Sequence, residues 1–139
     1  MFTIRQAEER DQQAILALTA EAGVFTTQDV ACVDELLQVY LYQPQKHDYT
    51  FVTACDAADR VVGYICYGPT PLTIGTWDIY WIAVGKAERG RGVGQALMQH
   101  AEQEIAAQGG RLVVLETSGT PEYSPARKFY EHCGYTGRI

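Results

Sequence analysis

Apolar and polar residues alternate along the chain with two different periods. Period-two alternation and short apolar runs between turn residues predict strands, whereas apolar residues spaced three or four apart predict helices. The strands predicted in this way are 2–7, 49–55, 61–68, 76–84 and 111–118, and "YTGRI" (135–139) begins a further strand. The predicted helices are 11–23, 27–44, 93–110 and 124–134, and "GPTPLTIG" (68–75) is a predicted loop.

Capping residues at the ends of the predicted helices support these bounds. Asp11 and Thr27 are the expected N-caps of the first two helices, and Ser124 is the expected N-cap of the last. Gly109 is the expected C-terminal cap of the third helix.

The central strand "TWDIYWIAV" (76–84) is rich in the β-branched and aromatic residues typical of a buried strand. Strict alternation predicts that Asp78, Tyr80, Ile82 and Val84 share one face of it. The strand, helix and strand over 76–117 predict a right-handed parallel crossover. The whole order of elements predicts a mixed α/β sheet with helices on both faces.

Length and composition set the class of protein. A chain of 139 residues without an internal linker predicts one domain, 1–139. The net charge of −6 argues against non-specific nucleic-acid binding, and no apolar run approaches the roughly 20 residues of a membrane span. The polar N-terminus predicts a cytoplasmic protein. The four scattered cysteines form no metal-ligand motif, so we expect no metal.

The charge is unevenly distributed along the chain. Residues 1–85 contain 4 Lys or Arg and 11 Asp or Glu, whereas residues 86–139 contain 7 and 6. This division suits a cationic substrate that meets an anionic cofactor. It is equally compatible with ordinary surface scatter, because charge counts carry no geometry.

The segment "ERGRGVG" (88–94) places three glycines at alternate positions between a strand and a helix. Such a turn predicts an anion site, because backbone N–H groups and the helix dipole converge there and glycines allow close approach. Arg89 and Arg91 add charge. The P-loop string GxxxxGK[ST] is absent, and the GxGxG spacing departs from the GxGxxG of dinucleotide-binding folds. The local prediction is therefore a phosphate or diphosphate site.

Two motifs resemble those of the GNAT superfamily of N-acetyltransferases. "WIAVGKAERGRGVGQALM" resembles its strand, R/Q-x-x-G-x-G/A diphosphate loop and helix, and "ARKFYEHCGY" resembles its C-terminal A-x-x-F-Y-x-x-x-G-F/Y signature. The resemblance spans nearly the whole chain. It implies a mostly antiparallel mixed sheet, with a central parallel strand pair splayed for CoA and helices on both faces.

The same resemblance implies how the cosubstrate acetyl-CoA is bound. Backbone groups of Ile82, Ala83 and Val84 would bind the pantetheine arm. The N–H groups of the following loop would bind the diphosphate, namely those of Arg89, Gly90, Arg91, Gly92, Val93, Gly94 and Gln95. Tyr123 stands where many relatives have an Asn that contacts the cofactor, and Ser124 could replace it.

The resemblance also implies catalytic roles. Tyr130 occupies the position of the general acid, and a phenol is ordinarily protonated at neutral pH. Asp78 resembles the general base of one branch of the superfamily, while Glu116 on the next strand, or a chain of water molecules, could serve instead.

The implied function is transfer of an acetyl group from acetyl-CoA to a primary amine of a small molecule or peptide by direct attack. A non-catalytic acyl-CoA-binding or interaction module is the alternative. The superfamily normally ends with two strands, whereas one short strand is expected before Ile139, so a C-terminal strand is expected to be missing. The exposed strand edge then favours a homodimer.

Overall fold

The computed structural model describes residues 2–23, 25–115, 128–131 and 133–134. Its strands and helices are β1 (Thr3–Gln6), α1 (Gln12–Glu21), α2 (Thr27–Tyr42), β2 (Thr50–Cys55), β3 (Val61–Pro69), β4 (Thr76–Val84), α3 (Val93–Ala107) and β5 (Leu112–Leu115). Residues 128–131 are helical, as predicted for the last helix. The parts of the predictions that concern 116–127 and 135–139 lie outside the described residues.

The five strands form one mixed sheet in the order β1-β2-β3-β4-β5. Neighbours from β1 to β4 are antiparallel, and β4 and β5 are parallel, with register from Thr76 opposite Leu112 to Ile79 opposite Leu115. The prediction of a mixed sheet in which the central strand β4 has a parallel neighbour is confirmed. None of the helices in the described residues is long and apolar enough to cross a membrane.

Apolar side chains form one core on each face of the sheet, which confirms the helices on both faces. The core under α3 includes Ile65, Ile79, Val93, Leu97, Met98 and Ala101. The core under α1 and α2 includes Ile15, Val33, Leu37, Phe51, Tyr64 and Ala83. Burial of side chains on both faces stabilises β3 and β4 within the sheet.

A bulge in β4 overturns the predicted alternation of its side chains. Tyr67 of β3 pairs with Ile79 and Cys66 pairs with Trp81, so Tyr80 is an extra residue in β4. Because a bulge sets two residues against one, the alternation shifts by one position beyond it. Ile82 and Val84 therefore pack on the α3 side, whereas Tyr80 and Trp81 both pack on the α1/α2 side. The prediction of a shared face for Asp78, Tyr80, Ile82 and Val84 was wrong.

The first two helices are capped differently from the prediction, although α1 begins where it was predicted to begin. α2 is capped by Thr26, not Thr27: the Thr26 hydroxyl accepts a hydrogen bond from the Asp29 N–H at 3.1 Å, and the Asp29 carboxylate accepts one from the Thr26 N–H at 2.8 Å. Asp11 holds the N-cap position of α1 without capping it. Its carboxylate instead accepts a hydrogen bond from Arg5 at 2.7 Å, which ties β1 to the start of α1.

Candidate active site

The loop between β4 and α3 has the backbone conformation that its glycines allow. Gly90 and Gly92 have φ values of 80° and 82°, which L residues other than glycine rarely adopt. A Cβ built on either glycine would meet no atom within 4 Å. The two glycines therefore face open space and leave room for a ligand to approach the backbone.

Several N–H groups at this loop point toward no acceptor in the described part of the chain. They belong to Gly90, Gly92, Val93, Gly94 and Gln95. The last three lie in the first turn of α3, where the helix itself supplies no acceptor and its dipole is positive. This group of donors has the chemistry of an anion site, so it fits the diphosphate of CoA.

The two arginines of the loop are exposed. Arg91 forms an ion pair with Glu88 at 3.5 Å, yet its side chain keeps 70% of its surface exposed. Arg89 forms no ion pair within the described residues. Both guanidinium groups could add charge-assisted hydrogen bonds to an anion held by the backbone.

Gly94 has a different role from the other two glycines of the motif. A Cβ on Gly94 would lie 3.1 Å from Cε1 and Cζ of Phe129 and 3.6 Å from Cγ2 of Val84. Its missing side chain therefore lets the Phe129 ring pack against the start of α3. This contact joins the two signature motifs, and the Gly94 N–H is still available to a ligand.

Ile82, Ala83 and Val84 form the end of β4 nearest this loop. Their neighbours on β3 are Ile65, Tyr64 and Gly63, whereas the β5 partners that the structure describes end opposite Ile79. The other edge of this part of β4 has no strand partner within the described residues. That edge could bind an extended arm by strand-like hydrogen bonds.

Tyr130 follows Phe129 on the short helical segment that packs on α3. The two rings lie 5.5 Å apart at an interplanar angle of 63°. Tyr130 is half-buried, and its neighbour Phe129 belongs to the core under α3. The predicted general acid therefore lies on an element anchored at the start of α3, directly after the glycine loop.

Asp78 lies near the beginning of β4, on the face opposite α3. The Thr70 hydroxyl donates a hydrogen bond of 2.7 Å to its Oδ2 atom. Its negative charge also acts on Tyr80: burial, with Asp78 adding to it, raises the pKa of Tyr80 to about 12. Asp78 is thus held by the β3–β4 loop and lies beside a phenol that stays protonated at neutral pH.

Two predicted site residues, Glu116 and Ser124, lie outside the described residues. No group of His, Cys, Asp and Glu side chains in the described part of the chain could hold a metal ion.

Tyr80 and Thr70 were missed by sequence reasoning. The bulge depends on pairing with β3, so the alternation within β4 could not predict it. The contact between Thr70 and Asp78 could not be predicted either, because only the folded loop brings the two residues together.

The chain belongs to the acetyltransferase (GNAT) family, whose profile matches residues 13–135. It is 35% identical to a GNAT-family protein from Desulfovibrio desulfuricans, with a TM-score of 0.94 over 100% of this chain and 87% of that one. No curated protein matches the chain. The resemblance that the motifs indicated is therefore confirmed.

More distant structures share the fold. The PaiA N-acetyltransferase from Thermoplasma acidophilum, solved in complex with coenzyme A, is 15% identical, with a TM-score of 0.75 over 95% of this chain and 87% of that one. The ribosomal-protein-alanine N-acetyltransferase from Brucella melitensis biovar Abortus 2308 is 22% identical, with a TM-score of 0.72 over 100% of this chain and 95% of that one.

Proposed function

We propose that this protein is an N-acetyltransferase that moves an acetyl group from acetyl-CoA to a primary amine of a small molecule or peptide. The observation that carries the proposal is the group of N–H donors without a described acceptor at the start of α3, the helix that follows β4 and the glycine loop. Membership of the acetyltransferase family supports it. The coenzyme A in the Thermoplasma acidophilum relative supports the choice of cosubstrate.

Two different parts of the chain bind the two parts of CoA. The N–H groups of Gly90 and of Gly92 to Gln95 hold the diphosphate. The N–H groups of Arg89 and Arg91, which the motif also predicted as donors, already donate to the carbonyls of Lys86 and Glu88 at 3.5 Å and 3.3 Å. The edge of β4 from Ile82 to Val84 aligns the pantetheine arm. A backbone N–H of this edge hydrogen-bonds the thioester oxygen and stabilises the negative charge that develops there. Because these donors belong to a strand packed on both faces, they are already oriented before the reaction.

The acceptor nitrogen loses two protons during the acetyl transfer, and the departing sulfur gains one. The acceptor ammonium first loses a proton to Asp78, to Glu116 or to water, and the neutral nitrogen attacks the thioester carbonyl carbon. A carbon–nitrogen bond forms and the carbon–sulfur bond breaks. Tyr130 donates its phenolic proton to the departing thiolate. The nitrogen loses its second proton to solvent, and Tyr130 regains a proton from solvent.

The test is to incubate the protein with acetyl-CoA and a panel of primary amines and to follow the release of free thiol. We expect release above an amine-free control for at least one amine, together with a matching N-acetyl product by mass spectrometry. Calorimetry with CoA is the companion measurement. Binding of CoA without turnover of any amine would favour the non-catalytic module, and absence of CoA binding would refute both functions.

A further inference from the structure

The face of β4 that lies opposite α3 carries one carboxylate and two aromatic side chains. Asp78, Tyr80 and Trp81 all lie on this face, because the bulge brings two consecutive aromatic residues to the side of Asp78. Val114, opposite Asp78 on β5, is 37% exposed. The α1/α2 layer therefore leaves this part of the sheet accessible from solvent.

Asp78 is a fixed carboxylate without a cationic partner in the described part of the chain. Besides the bond from Thr70 to Asp78, the Thr70 N–H donates to the Thr76 carbonyl at 2.9 Å, and the Thr73 hydroxyl donates to the Thr70 carbonyl at 2.7 Å. The loop is thus tied together around the carboxylate. No arginine or lysine of the described residues forms an ion pair with Asp78, so its charge is available to a cationic ligand.

Two pairs of aromatic rings pack on the same face of the sheet as this carboxylate, and Tyr80 lies closest to it in the strand. Tyr80 packs edge-on against Tyr49 with ring centroids 5.5 Å apart, and Trp81 packs edge-on against Phe25 at 5.1 Å. All four side chains are half-buried, so each keeps some surface for a ligand. Rings of this kind bind apolar or aromatic groups and also attract a cation over their faces.

The charge of the surrounding chain favours a cation as well. In the described part of residues 1–85, each of the three arginines already forms an ion pair with a carboxylate. Arg5, Arg10 and Arg60 pair with Glu8, Asp11, Asp56 and Asp59. Lys46 is the only lysine of that segment. The excess of carboxylates is therefore not neutralised by neighbouring arginines, and its field attracts cations toward this half of the molecule.

Resting on the proposed acetyl transfer, we infer that the acceptor is a cationic primary amine on an aromatic or apolar body, with no carboxylate beside the amine. Asp78 holds the ammonium group, and the rings of Tyr80 and Tyr49 hold the body. Thr70 is a positioning residue that keeps the carboxylate in place.

The first experiment compares acceptors that differ in one group. Tyramine, tyrosine and tyrosinamide share a phenol ring and an amine, but only tyrosine carries a carboxylate beside the amine. We expect kcat/KM for tyramine to exceed that for tyrosine at least tenfold, because the extra carboxylate would face Asp78. Comparison of tyrosinamide with tyramine shows whether the site prefers an acceptor with a peptide-like amide beside the amine or a simple amine. Propylamine, which lacks the ring, should be a poorer acceptor than tyramine.

The second experiment uses variants of the site with a matched control. Asp78→Asn should lower kcat/KM for tyramine and remove the discrimination against tyrosine. Glu35→Gln removes the same charge from an exposed position on α2. It should change kcat/KM for tyramine, and the ratio of kcat/KM between tyramine and tyrosine, less than twofold. Thr70→Val should weaken the discrimination, and Thr70→Ser, which keeps the hydroxyl, should restore it. CoA affinity should be unchanged in every variant, which also reports that each one is folded.

Three results would overturn the inference: equal kcat/KM for tyramine and tyrosine, equal behaviour of the Asp78 and Glu35 variants, or a Thr70→Ser variant that behaves like Thr70→Val. Absence of turnover with every amine would instead refute the proposed function. In that case calorimetry of tyramine with the CoA-loaded protein decides the inference. Binding that Asp78→Asn abolishes would support the site, and absence of binding would overturn it.

Discussion

Replacing Gly92 by valine perturbs the proposed diphosphate site at one point. Gly92 is the N-cap of α3 and has a φ of 82°, and a Cβ there would face space that holds no other atom within 4 Å. Valine would fill this space with a branched side chain. We expect it to block the approach of the CoA diphosphate to the N–H groups of the first turn of α3.

The Gly92→Val substitution should change both the free energy of unfolding and the affinity for CoA. A left-handed backbone costs an L residue about 1–2 kcal/mol, so the free energy of unfolding should fall by at least that amount. Loss of one charge-assisted hydrogen bond costs a further ~1.5–3 kcal/mol, but only in the complex with CoA. Because each 1.4 kcal/mol is a factor of about ten, the Kd for CoA should rise at least tenfold.

A second glycine of the same helix separates these two parts. Gly109 follows the end of α3 with a φ of 84°, and a Cβ there would also meet nothing within 4 Å. At 1.5 Å per residue it lies about 25 Å from Gly92 along the helix. Gly109→Val should therefore show the same backbone strain in denaturant unfolding, with an unchanged Kd for CoA.

Calorimetric titration with CoA and urea unfolding of both variants complete the test. Loss of affinity confined to Gly92→Val would support the diphosphate site. A folded Gly92→Val variant with wild-type affinity would refute the reasoning, because the diphosphate would then lie elsewhere. Equal loss of affinity in both variants would show that strain in α3, not occlusion of the loop, controls binding.

Three further predictions concern the proposed general acid, the contact between Gly94 and Phe129, and the N-cap of α2. Tyr130→Phe should lower kcat by about 10²–10⁴-fold with little change in CoA affinity, and a kcat within a few-fold of wild type would remove Tyr130 as the general acid. Gly94→Ala should be destabilising beside Phe129, and less so in a Phe129→Ala background, so a double-mutant cycle in urea should give a coupling of ~1–2 kcal/mol; additive effects would contradict the packing role. Thr26→Ala should lower the free energy of unfolding by about 1 kcal/mol and Thr27→Ala by much less, whereas the reverse order would restore Thr27 as the cap.

Local patterns predicted most of the secondary structure because the information they use is local. β4 begins and ends where its run of β-branched and aromatic residues does, at Thr76 and Val84. The cap of α2 was misplaced by one residue although a signal existed. Thr26 lies three residues before an acidic residue, Asp29, and that spacing is typical of a capping box, whereas Thr27 is followed at the same distance by an apolar residue.

The bulge at Tyr80 could not be found in the same way, because it is a property of a strand pair. Alternation within β4 predicts one face for Asp78 and Ile82, and only the register against β3 shows that an extra residue separates them. The consequence reaches the candidate acceptor site directly. Without the bulge, Tyr80 and Trp81 would lie on opposite faces, and only one of them could lie on the face of Asp78.

The glycines of the loop show why a motif specifies a site less completely than its letters suggest. Gly90 and Gly92 have the conformation and the open surroundings that a bound anion requires. Gly94 is needed for a different reason, since the ring of Phe129, 35 residues further along the chain, would lie only 3.1 Å from a Cβ at this position. The two signature motifs thus meet in one contact, and the helix that carries Tyr130 is anchored at the start of α3. A side chain added at Gly94 would therefore affect the proposed general acid through packing against Phe129, while the Gly94 N–H remains available to the diphosphate.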